Sequence, residues 1–324
     1  MKAAIIYDKD TLPEYTDTAV PVAHSLDEVV VTVKAVALKH FDKGRATGRH
    51  YSSDAPKQEG RIIGGDAVCL LADGTRMYGM GAGGTMAEKA TMVKNTLVPV
   101  PDGMDDATAA ALPNAVIGAA MGLKFKARIQ PGDVVLVNGA TGFTGRVAVQ
   151  LAKHYGAKKV IITGRNEQSM EQLMELGADE KISVLQSDDI LMAQLKKVHA
   201  ATPIDVVIDY LWGHTAGLIL ASLKGNGSFT HSTRYVSVGS MAGDILPLSA
   251  ANLRSTDILL SGSGLGAWPK DQVRQFFSDL LPEAYQLAAN GKLKVETETV
   301  ALHDIAGLWN KTIAGGRRLV VTIP

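Results

Sequence analysis

Apolar and polar positions change rhythm twice along the 324 residues. Up to about Pro113 the text is β-rich. Glu28–Ala35 alternates around valines at the two-residue period of a half-buried strand, and Met1–Asp8 opens with a short apolar strand. Turn signals recur at Asp73-Gly74, Gly83-Gly84 and Pro101-Asp102-Gly103. From Ala115 the pattern becomes short apolar runs alternating with helical stretches, the mark of a doubly wound α/β sheet. The predicted strands are Val134–Val137, Val160–Thr163, Asp205–Asp209, Tyr235–Gly239 and Ile258–Gly262. Between them, Asn166 caps a helix with Met170, Leu173 and Met174 on one face, stopped by Gly177. From about Lys292 the text returns to strand and ends in Leu319-Val320-Val321-Thr322-Ile323.

The richest stretch is Val134 to Lys153. A β-branched run leads into Ala140-Thr141-Gly142-Phe143-Thr144-Gly145, an A-x-G-x-x-G turn close to the dinucleotide fingerprint. Val147, Ala148, Leu151 and Ala152 then follow at the spacing of a helix packed on a core. In such a turn Gly142 lets backbone approach a pyrophosphate and Gly145 lets the helix lie close to the strand. The helix N-terminus presents free N–H groups and the positive end of its dipole. The next strand ends in Gly164-Arg165-Asn166, where NAD-binding folds carry an acid for the ribose 2′-hydroxyl. Here an arginine follows a glycine, which favours NADPH, because a guanidinium grips a 2′-phosphate that an acid would repel.

Composition narrows the picture by exclusion. Lysine plus arginine and aspartate plus glutamate both number 33, so net charge makes no case for nucleic acid or a membrane surface. No apolar stretch approaches spanning length, and the opening strand is too brief for a signal peptide. A lone cysteine, Cys69, rules out an internal disulfide and suits a cytoplasmic location.

Taken with Gly79–Glu88, Gln150–Lys153, Gly156-Ala157 and Val236–Gly239, the turn makes the chain resemble the medium-chain dehydrogenase/reductase superfamily, in its zinc-free quinone oxidoreductase branch. The resemblance runs nearly full length. It implies an α/β protein with a GroES-like β-barrel catalytic domain, 1–113 and 290–324, around a Rossmann domain, 114–289. It also implies a homodimer joined through Asp257–Gly262, and a cleft between domains where nicotinamide meets substrate. Further cofactor contacts carried over by the resemblance are Val238, Gly239 and Ser240 after the fifth strand and Ser263 after the sixth. Tyr210 leaves the fourth strand at the carboxyl edge where such sheets bind ligands. Gly118 stands where relatives carry a nicotinamide-side threonine, and Asn114 is the candidate to take over that contact.

A structural zinc needs about four cysteines, which one cysteine excludes, and a catalytic zinc needs three ligands. The stretches resembling the zinc positions are Lys39-His40-Phe41-Asp42 and Gly65-Asp66. A set of His40, Asp42 and Asp66 is chemically conceivable, but the spacing follows the zinc-free pattern, so no metal is expected. Without a Lewis acid, the fitting substrate is a carbon already electrophilic: a quinone, or the β-carbon of an α,β-unsaturated carbonyl. The family's Asn-x-x-Asp becomes Lys39-x-x-Asp42, keeping the acid and changing the amide. Lys39 either places an ammonium near the developing oxyanion or points into solvent. Tyr51 falls where relatives bring a phenol toward substrate. The alternatives are a catalytically weak NADPH-binding protein with a regulatory or structural role, and a zinc alcohol dehydrogenase. Arg318, after Gly315-Gly316, belongs to a turn or faces the cofactor's phosphates.

Overall fold

The computed structural model describes residues 1–8, 11–48, 60–225, 229–311, 313 and 315–324. It resolves into two compact units, Met1–Pro113 with Phe277–Pro324, and Asn114–Phe276.

The first unit is built on mixed sheets. Its spine is the strand Glu28–Leu38, on which Val31 and Val33 are buried while Thr32 between them is exposed, the alternation the sequence predicts. This strand pairs antiparallel with Asp66–Leu70 and with Lys89–Val93, and is irregular between Val33 and Ala35. The terminal strand Arg317–Thr322 closes on its other side, with Leu319 opposite Leu38. The returning tail therefore completes a sheet begun near the N-terminus, as expected for a GroES-like domain. A second sheet joins Glu14–Asp17, Lys2–Ile6 and Arg61–Ile62, and an isolated Ala3–Ala87 bridge ties it to the loop before Lys89. Val33, Val36, Cys69, Met86, Met92 and Leu319 meet in the core. Each large aliphatic side chain buried there contributes about 1.5–3 kcal/mol. The helix Leu281–Ala289 belongs to this unit: Tyr285 is fully buried, donates from its hydroxyl to the Ala109 carbonyl at 2.7 Å, and stands edge-on to Tyr78.

The second unit is a six-stranded parallel sheet. We label its strands β1 (Val134–Asn138), β2 (Lys159–Gly164), β3 (Glu180–Ser183), β4 (Val206–Asp209), β5 (Thr233–Ser237) and β6 (Ile258–Gly262). Their spatial order is 3-2-1-4-5-6, the order of a dinucleotide-binding Rossmann sheet. The central strands are buried on both faces, which is why they read as continuous apolar runs and not as alternations. Helices α1 (Phe143–His154), α2 (Glu167–Glu175), α3 (Asp188–Ala201) and α4 (Gly213–Ser222) follow β1 to β4 in turn. Asn166 caps α2 as predicted, its side chain accepting from the Ser169 N–H, and Gly177 ends it at φ 111°. Strand β3 was not expected: its text, Glu-Lys-Ile-Ser, buries only Ile182 and lies at the sheet edge.

Candidate functional site

The loops leaving β1, β2, β4, β5 and β6 carry every expected cofactor residue except Asn114 to one edge of one sheet. This follows from the all-parallel order, which puts all six carboxyl ends on the same side.

At the first of these loops the glycines divide their work as the fingerprint requires. Gly142 is the residue before α1, with ordinary extended backbone at φ −74° and ψ 161°. A Cβ built on it would meet only the Gly139 oxygen, at 3.7 Å, so the space beside it is open. A Cβ on Gly145 would fall 2.7 Å from Ala140 Cα, so the helix packs against the turn with no room for a side chain. The residues present therefore fit a diphosphate laid against the N-terminus of α1, a helix of 12 residues.

At the end of β2, Gly164 has a packing reason of its own. A Cβ there would lie 2.7 Å from Thr141 Cγ2 and 3.0 Å from Met170, so no acidic side chain fits. Arg165 follows on the surface, with no ion-pair partner among the described residues. The nearby acids of α2, Glu167 and Glu171, are both engaged by Lys181 from β3.

The loops are held by a buried polar network that sequence reasoning missed. Asn138, at the end of β1, donates to Asp209 Oδ1 at 2.7 Å and accepts from Thr163 Oγ1 at 2.6 Å. Thr163 Oγ1 in turn accepts from the Gly139 N–H, the entry to the phosphate turn. Asp209, fully buried, also accepts from the N–H groups of Leu211 and Trp212 and from the Tyr235 hydroxyl. The available signal was a polar residue closing each of three apolar strands. Trp212 stands at φ 55° and ψ −156°, beside backbone space that is essentially glycine's alone; residues held there cost about 1–3 kcal/mol.

Gly118 is explained by crowding: a Cβ there would lie 2.8 Å from Thr144 Cγ2. The Tyr210 hydroxyl donates to its carbonyl at 3.0 Å. Asn114 lies one helical turn earlier, on Asp106–Val116, half-buried. Beyond β4, a cavity of about 300 Å³ is lined by Trp212, Val238, Gly239, Ser240 and Ser263, among others.

In the first unit, Lys39 does not point into solvent, one of its two expected placements: it is 3% exposed and its Nζ is bonded to Asp66, with Asp42 Oδ2 at 3.4 Å. Asp42 also accepts from the Lys39 N–H at 3.0 Å, fixing the start of the helix His40–Ala46. Asp66 takes a further bond from the Tyr78 hydroxyl at 2.7 Å. Burial pulls the Lys39 ammonium down, but the two carboxylates outweigh it and hold it above its ordinary value. Burial pushes Asp42 up and Tyr78 well up. Arg318 is not an exposed turn residue. It is buried on the terminal strand, faces the fields of Asp42 and Asp66, and is pulled by burial down to about 10.

This cluster does not fit a catalytic metal. Both carboxylates of the conceivable set already face the Lys39 ammonium, His40 is exposed, and among the described residues no three ligating side chains are grouped to hold an ion. Tyr51 lies outside the described residues.

Residues 144–282 match the zinc-binding dehydrogenase family. The chain is 29% identical over 240 residues to quinone oxidoreductase-like protein 2 of Rattus norvegicus, covering 73% of this chain. It spans 65% of that protein's length. Over its full length it superposes on an alcohol dehydrogenase superfamily protein from Novosphingobium aromaticivorans, covering all of both chains, with a TM-score of 0.84 at 22% identity. The quinone oxidoreductase of Thermus thermophilus, also solved with NADPH, matches over the whole of both chains with a TM-score of 0.78 at 24% identity. These likenesses support the quinone oxidoreductase-like branch of the medium-chain dehydrogenase/reductase superfamily. The solved structures match both the parallel sheet and the mixed-sheet unit. The Lys39–Asp42–Asp66 cluster and Trp212 are read from this chain's own residues.

Proposed function

We propose that this protein is an NADPH-dependent, zinc-independent reductase of quinones or α,β-unsaturated carbonyls. The observation that carries the reading is the phosphate turn, open at Gly142 and closed at Gly145, with an exposed Arg165 at the end of the next strand. When bound, reduced nicotinamide supplies a hydride. The chain's own part is to hold, orient and exclude water. The Gly142–Gly145 turn and the N-terminus of α1 bind the diphosphate, and Arg165 pairs with the 2′-phosphate. The Asn138–Asp209 network fixes the loops that carry Tyr210, Val238, Gly239 and Ser240. Tyr51 donates a hydrogen bond to the oxygen that gains charge, and its hydroxyl or water returns the proton. Lys39 neutralises Asp42 and Asp66, holding that part of the scaffold without a metal.

The names of the rat and Thermus relatives support the substrate class, and the latter's complex supports the cofactor. A homodimer through β6 completes the proposal, supported by its edge position and an exposed Leu259. A cytoplasmic location is the companion proposal; among the described residues no helix is long and apolar enough to cross a membrane.

The test is oxidation of NADPH by chelator-treated protein, with NADH in parallel, against a panel of quinones and enones. Turnover preferring NADPH is expected. Tight NADPH binding without turnover of any acceptor would replace the enzyme by a nucleotide-binding protein.

A further inference from the structure

Helix α2 opens on a conflict of charge. Glu167 is its first residue, where the positive end of the helix dipole favours an acid. Yet Glu167 follows Arg165 by only two residues, so their Cα atoms lie at most about 7 Å apart. Glu171 stands one turn further along α2, at the spacing where like charges on a helix repel. Left to themselves, the two glutamates would set a double negative charge close to a guanidinium that has a phosphate to hold.

Lys181 answers both acids with one ammonium. It lies on the edge strand β3, level with Ile162 of β2, and its Nζ is bonded to Glu167 Oε1 and to Glu171 Oε1. Its side chain is 28% exposed against 65% and 62% for the two glutamates, so the cation is the held member and the acids the accessible ones. The two bonds keep the ammonium above its ordinary value, and it stays charged through neutral pH. Arg165 makes no ion pair among the described residues, because the acids next to it in sequence are turned to Lys181. Arg165, Lys181 and the two glutamates balance; without Lys181 an excess of negative charge remains. Strand β3 buries only Ile182, and Lys181 is what it brings to this end of the sheet.

We propose that Lys181 is a specificity-determining residue: by neutralising Glu167 and Glu171 it keeps the end of β2 receptive to the 2′-phosphate of NADPH. It acts through the glutamates and does not touch the nucleotide. The proposal rests on the NADPH reading above and extends it from one arginine to a four-residue charge arrangement. Without Lys181, the glutamates repel the 2′-phosphate and compete with it for Arg165.

The test is titration of NADPH and NADH in salt of about 0.01 M, where the Debye length is about 30 Å. Lys181→Met should raise the Kd for NADPH about three- to fivefold, the effect of one unit charge on a nearby dianion in water. The Kd for NADH should change by less than about twofold, since it lacks the phosphate nearest the acids. Lys181→Arg should keep wild-type affinity. Adding Glu167→Gln and Glu171→Gln to Lys181→Met should restore NADPH binding, because there is then nothing left to neutralise. Glu167→Gln alone should tighten NADPH severalfold, a gain that damage to the fold cannot produce. All these differences should shrink in salt of about 1 M. Equal weakening of both nucleotides by Lys181→Met would overturn the proposal and mark a merely structural tie between α2 and β3. A loss that persists in the triple variant would also overturn it. Wild-type protein that binds NADPH no more tightly than NADH would instead remove the NADPH reading, and this proposal with it.

Discussion

The Asn138 side-chain amide donates to Asp209 Oδ1 at 2.7 Å, joining the carboxyl ends of β1 and β4 by a bond that neither backbone supplies. Through it, the loop that would hold phosphate and the loop that carries Trp212 share one support. Burial drives the Asp209 carboxyl upward, while bonds from Leu211, Tyr235, Trp212 and Asn138 pull the other way, and the net is a value above the ordinary 3.8.

Asp209→Asn should therefore be destabilising. An amide keeps one acceptor oxygen but turns a donor toward groups that already donate, leaving buried partners unanswered at about 1–3 kcal/mol. The pH dependence has a definite sign. With a folded value raised above 3.8, the native state binds this proton more readily than the unfolded chain. The carboxyl's contribution to stability thus declines as pH rises from 3.8 through the folded value. Urea unfolding from pH 4 upward should show that decline in the wild type and a weaker one in the variant. Equal stability of the two proteins at neutral pH would contradict the network's role.

Lys39→Met should cost more. It leaves Asp42 and Asp66 as two buried carboxylates without their cation, a defect of about 3–5 kcal/mol. In the wild type the raised Lys39 value means its stabilisation is full below 10.5 and fades as pH climbs through the folded value. The variant should behave oppositely at the acid end, regaining stability as pH falls and the Asp42 carboxyl, already raised by burial, protonates. Melting curves at pH 5, 7, 9 and 11 measure both trends. A variant as stable as the wild type at pH 7 would show that the ammonium is dispensable.

Much of this was legible in the chain because parallel strands buried on both faces leave an unbroken apolar run, and the phosphate turn leaves its glycines. Val134–Val137 and Val160–Thr163 could hardly be read otherwise. Glu180–Ser183 escaped because an edge strand with one buried residue leaves no run. Lys39 misled because lysine is a surface residue unless something distant neutralises it, and Asp66 is 27 positions away. The Asn138–Asp209 bond spans 71 positions, a separation at which spacing carries no information. Trp212 announced itself only through its backbone angles, which no composition or period encodes.

Arg165→Glu tests the choice of nucleotide. It removes charge-assisted bonds to the 2′-phosphate and sets an acid against it, so NADPH affinity should fall roughly ten- to hundredfold. NADH, which lacks that phosphate, should bind nearly as before. Titration of both nucleotides in low salt is the measurement, since screening shrinks an exposed pair. An equal response of the two would show that Arg165 does not read the 2′ position.

The two glycines of the phosphate turn should part company when substituted. Gly142 has ordinary backbone angles and only the Gly139 oxygen, at 3.7 Å, near a new Cβ, so Gly142→Val should fold with little change in melting temperature. Its isopropyl group would occupy the open side where a diphosphate must approach backbone, and binding of both NADPH and NADH should be lost. Gly145→Ala forces a methyl to within 2.7 Å of Ala140 Cα, where backbone on both sides resists moving. Overpacking of that kind costs about 1–3 kcal/mol, so this variant should melt lower before any nucleotide is added. The pair thus divides a binding surface from a packing contact within three positions of one helix entry. A Gly142→Val protein that still binds dinucleotide would dismiss the turn as the diphosphate site, whatever Gly145 does to stability.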